Sequence, residues 1–400
     1  MTVSFAPVRR RTTIPLALTL AVIALLVIPA AASAAPRKVP FGFFGTVLPP
    51  QMSNSLSVSD TAVEQQMALM ASSGVESVRI VLSWNDLEPT QGDLRFAEVD
   101  RLVAASARHG VSVLAGVSQS PRWISAKPEG EFLRYPPLDP APYAELMRQL
   151  VLRYGPNGAF WLQNPSVPKV PVRRWQLWNE QNTPWNWAQM RWPRGYVRLL
   201  KQAYRAIHAA DPGATVVAGS LVGALTSPWA AMRMMYKAGA KGSFDEIAVH
   251  PFTNNRSVKT AIGQVIEIVR RVRAQLRRRG DARKPIILTE VTWTAASGKV
   301  PRRARIGFET TVKGQKQRMK AAFKRFVRER RRLRITQAYW FNWASEYNSK
   351  GPASVMSFRY SGLNRLRGGV FSTVSLLDTF SALARKYEGC PKSTNAGVCR

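Results

Sequence analysis

Trp175-Gln176-Leu177-Trp178-Asn179-Glu180 and Ile286-Ile287-Leu288-Thr289-Glu290 are two short apolar runs, each ending on a carboxylate. An acid that finishes an apolar, buried strand is unfavourable unless it is paired, solvated by a cleft, or used. A continuous apolar run such as Ile286-Ile287-Leu288 reads as a strand covered on both faces, the habit of parallel sheets. The same pattern recurs on either side. Strand candidates are Phe41–Leu48, Ser77–Ser83, Ser112–Val117, Trp175–Trp178, Thr215–Gly219, Glu246–Val249, Pro285–Thr289 and Thr336–Phe341. Helical stretches fall between them: Ser59-Asp60 to Ser72, Phe96 to His109, Ala141 to Tyr154, Gly195 to Ala210, Ala261 to Arg279, Gly314 to Arg332 and Leu376 to Lys386. Glycines such as Gly74, Gly110 and Gly280 supply the stop signals. Eight strands alternating with helices predict an α/β chain, a single-domain (β/α)8 TIM barrel over residues 35–388. A doubly wound open sheet is the structural rival, but no G-x-G-x-x-G opens a helix after the first strand.

In a barrel, Asn179, Glu180 and Glu290 would all open onto the C-terminal face, where active sites are built. Two glutamates on one face are what glycosidic bond cleavage needs. One protonates the leaving oxygen, and the other attacks the anomeric carbon or activates water. Glu88, Glu131 and Glu346 are competing acids in loops of the same face, and none ends an apolar strand.

Composition fits this reading. The 400 residues are 46% hydrophobic, 20% charged and 10% aromatic, which is an ordinary globular balance. Three dispersed histidines and two cysteines give no metal-ligand spacing, so neither a metal nor a cofactor is expected. The N-terminus reads as a signal peptide over 1–34. It has a basic Arg9-Arg10-Arg11, an apolar Ile14 to Ile28, and an Ala-x-Ala site with cleavage after Ala34. The apolar run is short for a membrane span of about 20 residues, and an uncleaved signal-anchor is the alternative. Export implies a secreted or cell-surface protein with no transmembrane segment after cleavage. In an oxidising compartment Cys390 and Cys399 would pair within a C-terminal tail, 389–400.

Several further motifs carry a resemblance. They are Phe41-Gly42, Val78-Arg79-Ile80, Trp84-x-x-Leu-Glu88-Pro89-x-x-Gly92, Phe96-x-x-x-Asp100, His109-Gly110-Val111, Ser120-Pro121-x-Trp123 and above all Trp178-Asn179-Glu180. With these the chain resembles the clan A glycoside hydrolases, most of all families 39 and 5, over nearly its whole length. The resemblance implies a (β/α)8 barrel and hydrolysis with retained anomeric configuration, with Glu180 as acid/base and Glu290 as nucleophile. It implies Asn179 on the sugar 2-hydroxyl, Arg79 holding Glu290 ionised, and His250 lining the site. Trp340 or Trp343 would be a sugar platform, with Trp293 and Trp123 as further sugar contacts. The chain departs from the family where Gln181 replaces a common Pro and where Phe252 stands at a frequent Tyr position.

Lys and Arg number 58 against 24 Asp and Glu, a net charge of +34. Arg270–Arg279 and Arg325–Arg334 concentrate it on two helices. The excess reads either as an arginine-rich solvated surface or as a docking face for a polyanion. No motif supports nucleic-acid binding. The expected partner is an oligo- or polysaccharide, acidic sugars included. The alternative to an enzyme is a non-catalytic carbohydrate- or polyanion-binding protein of the cell surface.

Overall fold

The computed structural model describes residues 1–7, 36–53, 56–254, 256–346, 353–390 and 393–400. The chain divides into Met1–Ala34 and Ala35–Arg400. Residues 1–7 form no regular element, and the signal-peptide and cleavage-site reading falls on 8–35, outside the described residues.

In the second unit eight parallel strands close into a barrel in sequence order. They are β1 Phe44–Val47, β2 Ser77–Ser83, β3 Ser112–Ser118, β4 Arg174–Leu177, β5 Thr215–Val222, β6 Glu246–His250, β7 Ile286–Val291 and β8 Ile335–Trp340. β8 pairs with β1 through Phe44–Ala338, Gly45–Tyr339 and Thr46–Trp340. Helices cross between strands: α1 Asp60–Ser72, α2 Trp84–Leu87, α3 Ala97–Arg108, α4 Ala141–Tyr154, α5 Ala159–Gln163, α6 Trp192–Ala210, α7 Pro228–Lys237, α8 Val258–Arg278, α9 Val312–Leu333 and α10 Ser375–Glu388. This is a TIM barrel, as the alternation predicts. Among the described residues no helix is long and apolar enough to cross a membrane.

The element starts have local causes. Ser59, Ser257 and Thr311 cap α1, α8 and α9 by accepting the N–H of Ala62, Thr260 and Gly314. α7 begins on Pro228, whose fixed φ suits a first helical position, and it is a helix that the sequence reading did not include. Long side chains fill the layer between strands and helices. Phe44 stacks on Phe323 of α9 at 5.0 Å and meets Phe380 of α10 edge-on at 5.9 Å, fastening β1 to the outer layer. The barrel interior is narrower. Val47, Leu114, Val217, Ala248, Ile287 and Tyr339 form its apolar plug, and the Tyr339 hydroxyl meets Ser77 Oγ at 2.7 Å. After β8 the chain adds a small sheet of β9 Ala344–Glu346, β10 Asn364–Arg367 and β11 Val370–Thr373, within an excursion that the sequence reading left without elements.

The N-terminal end of the barrel is closed by the tail. Cys390 and Cys399 form a disulfide. Arg37 pairs with Glu76 and donates to the Cys399 carbonyl at 2.8 Å. Glu76 also accepts the Gly42 N–H at 2.7 Å. Gly42 has φ +83°, and a Cβ there would stand 2.9 Å from Gln337 Nε2, so the turn into β1 requires glycine. Beside Glu76 lies Glu388, whose Oε1 is buried with no hydrogen-bond partner. Burial, then the neighbouring Glu76 charge, pushes Glu388 from 4.5 up to about 9. Burial likewise raises Glu76 to about 7 against the opposing Gly42 N–H and the Arg37 charge.

Candidate active site

The site is built at the C-terminal ends of β4, β5, β6 and β7, with Arg79 reaching it from within β2. β4 ends abruptly. Trp178 and Glu180 hold left-handed φ values of 72° and 45°. Each such non-glycine residue costs of order 1–3 kcal/mol, and such strain clusters where geometry is functional. The contortion buries the Trp178 ring in the outer layer and turns Asn179 and Glu180 into the mouth of the barrel. β5 helps with a bulge between Ala218 and Ser220. Gly219 is required there, since a Cβ would come within 2.1 Å of Gln181 Oε1. The bulge delivers Ser220 Oγ, which donates to Asn179 Oδ1 at 2.8 Å and accepts the Glu180 N–H at 3.1 Å.

Arg79 is wholly buried inside the barrel and spends its donors on three neighbours. Nη1 meets Glu290 Oε1 at 2.7 Å, Nη2 meets Asn179 Oδ1 at 2.8 Å, and Nε meets Gln176 Oε1 at 2.9 Å. A buried guanidinium of this kind needs a carboxylate opposite it, and Glu290 supplies one. His250 stands between the two acids. Its Nδ1 is hydrogen-bonded to Glu180 Oε1 at 2.8 Å, and its Nε2 lies 3.4 Å from Glu290 Oε1. Glu180 Oε2 accepts from Trp185 Nε1 and from Asn186 Nδ2, both at 3.2 Å. Burial pushes the Glu180 carboxyl up. The His250 hydrogen bond and charge, the Trp185 N–H and the Arg79 charge outweigh it, so the group sits below the ordinary carboxylate value.

Glu180, His250 and Glu290 each place a ligand-capable atom within 4.8 Å of the others, a grouping that sequence spacing did not reveal. A cation there would have to compete with the guanidinium already seated on Glu290. The fold therefore gathers Arg79, Asn179, Glu180, His250 and Glu290 into one network.

The four tryptophans expected from the sequence do not join it. The expectation that Trp340 or Trp343 is a sugar platform is corrected by strand alternation. Tyr339 and Phe341 face the barrel axis, so Trp340 points outward into the layer against the helices. Both rings are 0% exposed. Trp340 donates to the Ser361 carbonyl at 2.8 Å and Trp343 to Gln66 of α1 at 2.9 Å. Trp293 is likewise buried and offers no open ring face. Trp123 is half-buried, packs edge-on against Trp84 and donates to the Glu88 carbonyl at 2.9 Å. Glu88 anchors its loop through Trp84 Nε1 at 2.8 Å and the Gly92 N–H at 2.9 Å. Besides the exposed Trp185, the aromatic surface beside the network is phenylalanine. Phe252 sits 5.8 Å from His250 and stacks on Phe308 at 5.1 Å, while Phe358 meets Phe341 at 5.4 Å. Trp185, Asn186 and Ser220 are site residues that the sequence reading missed. The cue for the first two is an exposed aromatic and an amide five and six residues past Glu180.

Comparison with known proteins agrees with this architecture. The sequence model of glycoside hydrolase family 42, described as beta-galactosidase, matches residues 54–134. No curated protein matches the sequence. A family 39 glycoside hydrolase from Bacteroides cellulosilyticus WH2 superposes with a TM-score of 0.58 at 16% identity, over 87% of this chain and 64% of that one. This chain thus spans less than two thirds of that relative. A monomeric beta-xylosidase from Caulobacter crescentus CB15 gives 0.58 at 16% identity, over 88% and 69%. A family 5 mannosidase from Rhizomucor miehei gives 0.58 at 13% identity, over 89% and 96%. The structural neighbours are clan A glycoside hydrolases, and at these identities the likeness is one of fold.

Proposed function

We propose that the protein is a retaining glycoside hydrolase in which Glu290 is the nucleophile and Glu180 the acid/base. The observation that carries this reading is that Glu180 and Glu290 oxygens come within 4.8 Å of each other. That separation suits double displacement, which wants the carboxyls about 5–5.5 Å apart, whereas inversion needs about 6.5–9.5 Å to admit a water. In the first step a Glu290 oxygen attacks the anomeric carbon. The bond to the leaving oxygen breaks, and that oxygen takes its electron pair and a proton from Glu180. In the second step Glu180 deprotonates a water, which attacks the same carbon and releases Glu290 as carboxylate. The Arg79 guanidinium donates to Glu290 Oε1 at 2.7 Å and so fixes the attacking carboxylate in place.

The depressed Glu180 carboxyl suits the second step, in which it is a base. The first step needs it protonated, and the proton taken from water in the second step restores that form. His250 Nδ1, 2.8 Å from Glu180 Oε1, orients the carboxyl, and Asn179 is assigned the sugar contact beside the nucleophile. The substrate is an oligo- or polysaccharide. The protein is read as exported, on the strength of its N-terminal sequence and the Cys390–Cys399 disulfide.

A panel of dinitrophenyl glycosides, neutral and uronic, followed by inactivation with the matching 2-deoxy-2-fluoro sugar, tests the assignment. The expected result is a stable glycosyl adduct that mass spectrometry maps to Glu290. An adduct on another residue, or a first product with inverted configuration by NMR, sinks it.

A further inference from the structure

The positive charge is not spread over the barrel. Residues 1–180 hold 17 Lys and Arg against 13 Asp and Glu, whereas residues 181–400 hold 41 against 11. In the first part arginines find acids: Arg95, Arg101, Arg108, Arg134, Arg148 and Arg153 each meet an Asp or Glu. A uniform taste for arginine would load both parts alike, so the asymmetry asks for a cause.

It is sharpest on α9. Lys316, Lys320, Lys324 and Arg328 follow one another at i, i+4 along its outer side, with Lys313 before them and Arg331 after. All are exposed except Lys316, which is half-buried. From Lys313 to Arg331 the row runs about 27 Å at a rise of about 1.5 Å per residue. The helix contains one acid, Glu329, which is buried and already held by Arg325 at 3.0 Å and Arg332 at 2.7 Å. Like charges at i, i+4 weaken a helix, and a lysine in the first turn opposes the macrodipole. The row therefore persists against the stability of its own element. Further cations continue it at both ends. Arg302, Arg303 and Arg305 stand exposed on the loop that leaves β7 just after Glu290. At the lower end Arg332 and Arg334 stand exposed.

We propose that the outer side of α9, with the Arg302–Arg305 loop above it, docks an acidic polysaccharide chain. The choice of polymer rests on the glycosidase reading: the row begins on the loop that carries the chain away from the nucleophile strand, so one glycan can engage surface and cleft together. Membrane insertion has no anchor here, because Val312 is the one large apolar side chain exposed on α8 or α9. Among the described residues the same face shows no exposed aromatic on which unpaired bases could stack.

The test uses the whole protein and the variant Lys316→Gln/Lys320→Gln/Lys324→Gln, which relieves like-charge repulsion and so keeps or raises the melting temperature. Polygalacturonate is the probe, and dextran, duplex DNA and phosphatidylglycerol vesicles are the alternatives. The wild type binds polygalacturonate and not dextran, more weakly as salt rises, and the triple variant binds it about tenfold more weakly in low salt, with a shallower salt dependence. Equal binding by the variant, tighter wild-type binding to duplex DNA or vesicles, or no wild-type binding to polygalacturonate overturns the proposal. Turnover of a dinitrophenyl glycoside separates the readings. An inactive protein that still binds the polymer sinks the enzyme and spares the docking surface. An active protein that ignores the polymer does the reverse.

Discussion

Two pairs of buried glutamates stand at opposite ends of the same barrel. Glu180 and Glu290 share two cationic or ionisable partners, Arg79 and His250, and open onto the C-terminal mouth. Glu76 and Glu388 share one arginine, Arg37, and are sealed beneath a disulfide-closed tail. In the upper pair burial is outweighed at Glu180 by its hydrogen bonds and neighbouring charges, and that carboxyl is held ionised. In the lower pair burial wins, and both carboxyls are pushed towards the neutral form. Proximity of two acids is therefore not a signature of catalysis by itself. The difference lies in donors supplied from other strands and in an opening for substrate.

Substitutions can break or sharpen this contrast. Glu290→Gln should remove at least about 10⁴-fold of turnover while the protein still folds, since the amide can still meet Arg79; single removals of a nucleophile have effects of this size. A surviving rate near wild type would take the nucleophile role away from Glu290. Glu180→Gln should slow glycosides with poor leaving groups by about 10²–10⁴-fold and dinitrophenyl glycosides far less, with added azide restoring turnover. Equal losses on both substrates would argue that Glu180 acts only structurally.

The lower pair should answer in stability instead. Glu388 has a folded-state value above its free value, so its contribution is whole below 4.5 and lost as pH rises towards about 9. Glu388→Gln should therefore raise stability at pH 8 by about 1–3 kcal/mol, leave it nearly unchanged at pH 4, and spare activity. Thermal melts at the two pH values decide it, and a lower melting temperature at pH 8 would show that the ionised acid is stabilising. The smallest change is expected from Trp185→Phe. It keeps a ring but removes one N–H from Glu180, so the pH–rate limb owed to that carboxyl should move upward, with a rate loss of no more than about tenfold. An unmoved limb would free Trp185 from any role in setting the acid.

Much of the upper site was legible because the relevant residues end strands. Glu180 and Glu290 announce themselves as acids closing apolar runs, and Arg79 and His250 lie on β2 and β6, where a charge needs a reason. What stayed hidden depends on register or on a loop. Trp340 and Phe341 are neighbours in sequence, and only pairing with β1 decides which faces the axis. Ser220 reaches Asn179 because of a one-residue bulge that leaves no mark in composition. Trp185 and Asn186 act from an irregular turn, where neither period applies. The lower pair was invisible for a similar reason. Glu76 precedes β2 and Glu388 ends α10, and nothing but the closed barrel brings them together.

Barrel closure has one more consequence. Thr46 Oγ1 donates to the Trp340 carbonyl across 294 positions of sequence. Until that seam forms, β1 and β8 both present unpaired edges, which are templates for pairing with another chain. Long-range parallel pairing of this kind is intrinsically slow. The half-made sheet is thus the species most prone to associate with its own copies, and substitutions that loosen the Phe44–Phe323–Phe380 cluster should lengthen its lifetime before they harm the finished fold.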